Sequence, residues 1–72
     1  MDNVNTLLKP DWVRAPTRGA EYFTGFARSK LYHLANQGLI ESVSIRGDGK
    51  KKGVRLFRLQ SILDFIEREA AK

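Results

Sequence analysis

A small α+β domain is the fold class that three features of this 72-residue sequence predict. Apolar residues recur at helical spacing up to Gly38, alternate with period two over residues 39–45 and 54–57, and return to a helical stripe after Leu59. Gly25 and Gly38 stand at the breaks between these runs, where a chain changing direction needs them. The excess positive charge is also localised. The chain carries 13 Lys+Arg against 8 Asp+Glu, for a net charge of +5, and the stretch RGDGKKKGVRLFR from Arg46 to Arg58 holds six of the basic residues and one acidic one. The rest of the chain is balanced, so the charge marks one segment either as the place where an anionic partner is met or as a solvated loop kept charged for solubility.

The elements follow in order. Residues 1–16 read as an N-terminal extension: a polar start with a Leu7-Leu8 pair, then DWVRA bracketed by Pro10 and Pro16, which favour an extended path. Trp12 and Val13, with Leu7 and Leu8, are expected to add to the core. Residues 17–70 read as the domain. Thr17 is placed to cap a short first helix over RGAEYF, because its hydroxyl can accept from free amides of the first turn. After Gly25, Leu31, Leu34 and Ala35 fall on one helical face, which predicts a helix from Arg28 to Gln37 closed by Gly38. The β-branched run LIESVSI predicts a strand. Its partner runs from Val54 to Phe57, with Val54 and Leu56 on one face and Arg55 and Phe57 on the other. The glycine-rich basic segment becomes the tip of this hairpin. Leu59, Ile62, Leu63 and Ile66 then form the apolar stripe of a closing helix whose Asp64, Glu67, Arg68 and Glu69 face water.

Composition narrows the function. A chain of this length makes one domain, burying about 60% of its unfolded surface and leaving little room for a substrate cleft. The absence of cysteine and the single His33 argue against disulfides and zinc, and no metal or other cofactor is expected. An enzyme is not expected either, since no nucleophile, base and orienting group can be assembled. Asp64 and Glu67 are one helical turn apart, yet they sit on a solvated face without a nearby His or Cys. No apolar run approaches the ~20 residues of a membrane span, and MDNVNTLLKP lacks the order of a signal peptide. A cytoplasmic location without membrane association is the expectation.

Two short helices joined by a glycine turn and followed by a basic hairpin make a winged helix-turn-helix, whose second helix suits the major groove of double-stranded DNA. Its outward face carries Arg28, Ser29, Lys30, Tyr32, His33 and Asn36. Arg28 and Ser29 in the first turn are the leading candidates for base contact, while Tyr32 can both pack on the wing and touch phosphate. Arg46, Lys50, Lys51 and Lys52 of the wing are candidates for phosphate contact, as is Arg18 on the first helix. Arg55 and Arg58 either point to phosphate or pair with Glu41 or the acids of the last helix.

The stretch YFTGFARSKLYHLANQGLIESVSIRGDGKKKGVRLFRLQSILDFIE resembles the MerR-type winged helix-turn-helix of phage excisionases and AlpA-like regulators. In that family a short helix leads through G-x-S-R-S-T-L-Y into a recognition helix ending at G-L-I or G-K-L. A basic wing, an arginine-bearing strand and a closing helix come next. Gly25, Arg28, Ser29, Leu31, Tyr32, Gly38, Leu39 and Ile40 match, and Lys30 replaces the usual Thr. The resemblance spans Thr17 to Glu67. Two departures stand out: Ala27 replaces the serine that caps the recognition helix, a loss worth roughly 1 kcal/mol, and the wing is longer and more basic than the family turn.

The resemblance implies a sequence-specific DNA-binding protein, either an excisionase-type recombination directionality factor or a small phage or mobile-element transcriptional regulator. Its partners would be double-stranded DNA and either an integrase or recombinase or further copies of itself. Nothing after Lys72 provides an effector-binding segment, so no small-molecule effector is expected. Two other classes compete: an RNA-binding winged domain, since a basic hairpin also suits A-form backbones, and a protein-interaction module, whose binding would be insensitive to salt.

Overall fold

Alternation along Val54–Arg58 organises the molecule, because it sends Phe57 to the inside and Arg58 to the surface. The structure is a computed structural model that describes residues 9–49 and 52–72. Its elements are β1 (Trp12–Arg14), α1 (Arg28–Asn36), β2 (Ser42–Ile45), β3 (Val54–Arg58) and α2 (Leu59–Ala70). The strands form one antiparallel sheet in the order β1-β3-β2, with Phe57 opposite Val13 on one side and Ser42 on the other. Two helices and a three-stranded antiparallel sheet thus make a small α+β domain.

The sheet has one strand more than the two-stranded hairpin expected from sequence. Trp12–Arg14, within the segment read as an N-terminal extension, pairs with β3 and buries Val13. Its path is also tied to α2, since the Leu59 amide donates to the Asp11 carbonyl at 2.9 Å and so satisfies one of the free donors at the helix start. Leu7 and Leu8, expected beside Trp12 in the core, lie outside the described residues, as do Lys50 and Lys51, expected at the hairpin tip.

The first helix is the expectation that the structure corrects. Over residues 18–23 the chain makes bends and the beginning of a turn that runs to Thr24, with a single bridge between Ala20 and Ala27. The cause is Glu21. It is 6% exposed, and its carboxylate Oε1 accepts from the backbone amides of Phe23 at 3.1 Å and Thr24 at 2.8 Å. Its own amide donates to the Phe26 carbonyl and its carbonyl accepts from Gly25, both at 2.8 Å. A side chain that captures the amides two and three residues ahead competes with helix formation, as short acidic and amide residues commonly do. Here a glutamate does so, and the turn leaves Tyr22 and Phe23 exposed in an edge-to-face pair with centroids 4.8 Å apart.

The second helix follows its sequence signals closely. Ala27 provides no side-chain cap at its start, and at its end the Gly38 amide donates to Ala35 and the Leu39 amide to Leu34. These two bonds form a Schellman motif, and Gly38 supplies the positive φ of 76° that the motif requires. Ile40 then enters the core before β2 begins. Within the core, Val13 and Phe57 of the sheet meet Leu31 and Leu34 of α1, Ile40, and Leu59 and Ile62 of α2. Phe57, Leu31, Leu34, Leu59 and Ile62 are each less than 2% or about 2% exposed. At the β2–α2 junction the Glu41 amide donates to Ser61 Oγ, and the Ser61 hydroxyl donates to the Arg58 carbonyl.

Replacing Glu21 should expose how far this turn depends on one carboxylate. Glu21→Ala leaves two amides without their partner and is expected to destabilise the domain by about 1–3 kcal/mol in urea unfolding. Glu21→Gln keeps an acceptor oxygen in place and should recover more than half of that loss.

Candidate nucleic-acid interface

A helix that turns about 100° per residue distributes its side chains in a fixed way. With Leu31, Leu34 and Ala35 against the core, Ser29, His33 and Asn36 fall on the opposite side, directed to solvent, and all three are exposed. Arg28 and Tyr32 lie on the flank toward the sheet. Lys30 lies on the other flank, in a shallow groove with Thr24, Phe26, Phe65, Ile66 and Glu69. The six residues that sequence places on one outward face therefore divide into three directions.

The sheet-side flank is the most ordered part of this surface. The Tyr32 ring packs edge-to-face on Phe57, with centroids 5.4 Å apart and planes at 78°. The Arg28 guanidinium lies 5.1 Å and the Arg55 guanidinium 5.3 Å from the centre of the same Tyr32 ring. Both distances fall within the range of a cation held by an aromatic face. Arg55 is further fixed by Ser42, whose Oγ accepts from Nε at 3.2 Å and from Nη2 at 3.0 Å, and by Asn36 Oδ1, 3.5 Å from Nη1. Arg28 donates to the Ala15 carbonyl at 3.4 Å and to the Tyr32 hydroxyl at 3.5 Å.

Three clefts share Tyr32. One runs toward the hairpin along Ser44, Ile45, Arg46, Gly53 and Arg55; one runs toward Thr17, Arg18, Ala27 and Ser29; the third is small and lies between Arg14, Ala15, Arg28 and Arg55. Arg18 reaches this surface from the bends before the turn rather than from a helix, and it is exposed, as are Arg46 and Lys52. Arg14 is a member that sequence reading missed. A three-residue strand between two prolines is too short to show a period, and its neighbours in space come from β3, more than forty residues away.

Arg58 is placed differently. Because Arg55 and Phe57 share one face of β3, Arg58 belongs to the other, where it pairs with Glu41 and stacks over Trp12 at 4.5 Å from the ring centre. Of the two fates left open for it, pairing with Glu41 is the one observed. Both partners are largely exposed, so the pair adds at most about 1 kcal/mol. Arg55 pairs with no carboxylate among the described residues: its partners are Ser42, Asn36 and two aromatic rings. Among the described residues no carboxylate pairs with Arg14, Arg28 or Arg55.

The hairpin is held close by Gly53. A Cβ there would stand 2.6 Å from the Ile45 carbonyl oxygen and 3.2 Å from the Gly47 amide nitrogen, both backbone atoms that cannot swing aside. The close approach aligns Val54 with Ile45 and keeps the hairpin beside Tyr32.

Among the described residues no helix is long and apolar enough to cross a membrane, and no group of three or more His, Cys, Asp or Glu could hold a metal ion. Compared with known proteins, the chain matches no family model, no curated protein and no solved structure. The likeness to MerR-type excisionases accordingly rests on the residues quoted above.

Gly53→Ala should force the hairpin arms apart. The expected cost is about 1–3 kcal/mol of stability, as for overpacking elsewhere, with loss of the cross-strand contacts between Ile45 and Val54 in nuclear Overhauser spectra. Unchanged stability and contacts would show that the hairpin does not depend on this close approach.

Proposed function

We propose that this chain binds double-stranded DNA sequence-specifically, with α1 as the recognition helix and the β2–β3 hairpin as a wing, and acts as an excisionase-type recombination directionality factor or a small phage or mobile-element transcriptional regulator. The observation that carries the reading is the surface around Tyr32. An exposed polar helix face of Ser29, His33 and Asn36 is flanked by Arg14, Arg18, Arg28, Arg46 and Arg55, and among the described residues no carboxylate neutralises the arginines beside Tyr32. Hydrogen-bonding groups on a helix suit base edges in the major groove, and surrounding cations suit the phosphates on either side.

In this reading α1 enters the groove, with Ser29, His33 and Asn36 toward the bases. The hairpin tip, including Lys50, Lys51 and Lys52, follows the neighbouring backbone. A single domain of this size covers less surface than specific DNA complexes usually bury. Adjacent copies or a recombinase partner then complete the assembly.

Selection from a random duplex pool at moderate salt tests the reading directly, and enrichment of a defined motif is the expected outcome. No enrichment, or stronger binding to duplex RNA, would oppose it. Ser29→Ala should reduce discrimination between the selected and scrambled duplexes by about 1–3 kcal/mol, the worth of a lost base contact. Changing Lys50, Lys51 and Lys52 together to alanine should weaken binding to both duplexes alike. The slope of log K against log salt should become shallower by up to about 3 units, since each neutralised phosphate contributes about 0.9. An unchanged slope would make the lysine run a solubility feature.

A further inference from the structure

The geometry points to a preformed phosphate seat at the junction of α1 and β3, made by Arg28, Tyr32 and Arg55. It rests on the DNA-binding reading and assigns roles within it: Arg28 and Tyr32 position the backbone, and recognition of bases is left to Ser29, His33 and Asn36. Three features support this assignment.

The first is convergence. Two guanidinium groups from different elements sit within 5.3 Å of the centre of one tyrosine ring, and Arg14 lines the same small cleft. Gathering like charges is unfavourable in the absence of an anion, and among the described residues none is supplied by a carboxylate. The second is that the side chains are already fixed. Tyr32 is braced on Phe57, which is fully buried, and Arg55 is held by Ser42 and stacked 5.8 Å from the Phe57 ring centre. An arginine ordered before its ligand arrives loses less conformational freedom on binding.

The third is direction. Arg28 lies on the sheet-side flank of α1, about a quarter turn from Ser29, and its donors meet Ala15 and Tyr32 rather than the outward face. A guanidinium in that position can fork onto two oxygens of a phosphate at the groove edge. Reaching a base edge would require it to leave both present partners.

The ligand chemistry is a phosphate group, and two sources could provide it: the phosphodiester backbone of a duplex, which the charged surroundings favour, or a free phosphate. The experiment compares Arg28→Ala, Arg55→Gln and the unmodified protein by fluorescence anisotropy on selected and scrambled duplexes across a salt series. Arg55→Gln retains a donor for Ser42, and thermal unfolding of each variant establishes that it is folded. Each variant should make the salt slope shallower by about 1 unit on both duplexes, leaving the affinity ratio between them unchanged. Arg28→Lys, which keeps the charge but loses the fork, should keep the slope while weakening both complexes.

A changed affinity ratio in Arg28→Ala with an unchanged slope would overturn the seat and make Arg28 a base reader. An unchanged slope in both variants would overturn it as well. Failure of the DNA-binding reading is recognised separately, as absence of duplex binding by the unmodified protein. In that case inorganic phosphate is titrated against the protein and the Tyr32 ring and Arg Nε–H resonances are followed. Saturable shifts lost in Arg28→Ala would assign the seat to a free phosphate, and no shifts would overturn it.

Discussion

Phe57 is the residue on which the rest of the structure depends. It sits at the middle of the sheet, on the strand paired from both sides, and its ring is fully buried. Val13 lies opposite it from β1, while the Tyr32 ring of α1 rests on it edge-to-face. Removal of an aromatic side chain from such a site typically costs 3–5 kcal/mol, a large share of what a domain of this size possesses. The same ring also sets the position of Arg55. Residues two apart on a strand share a face, so the guanidinium of Arg55 is delivered to the edge of the core wherever Phe57 enters it.

That coupling explains why the cationic surface is both ordered and exposed. Tyr32 presents one part of its ring to the core and the rest to Arg28 and Arg55, an arrangement suited to an amphipathic side chain. Charge and packing are therefore joined through a single tyrosine. On the opposite face of β3 the cation is treated differently: Arg58 is neutralised by Glu41 and covers Trp12. The two faces of one strand thus carry an arginine with a carboxylate and an arginine without one. Their difference follows from period-two alternation rather than from sequence position, since they stand only three positions apart.

The turn at Glu21 shows how a local sequence preference can be displaced. RGAEYF contains good helix formers, and a cap at Thr17 would start a helix there. The buried carboxylate instead satisfies the amides of Phe23 and Thr24, and the backbone of Glu21 is bonded to Gly25 and Phe26. Those bonds close the chain on itself within six residues. A helix through the same segment would have to leave the glutamate's hydrogen bonds unmade in a buried place, and burying such a group unpaired is costly.

Much of the architecture was legible in the amino-acid order. The α1 segment, the Gly38 cap, the β2–β3 hairpin and the α2 stripe were each carried by local spacing, because helix and strand periods are properties of neighbouring residues. The concentration of charge between Arg46 and Arg58 was equally a matter of counting. Contacts between distant segments decided the remainder. The pairing of β1 with β3 and the amide bonds around Glu21 have no periodic signature, so neither the third strand nor the missing first helix could be read beforehand. The division of α1 into a solvent face, a sheet flank and a flank toward α2 also required knowing which elements pack beside it. Sequence spacing determined which side chains of that helix are polar. Tertiary packing decided that Arg28, Tyr32 and Arg55, from a helix and a strand far apart in the chain, would meet around one ring.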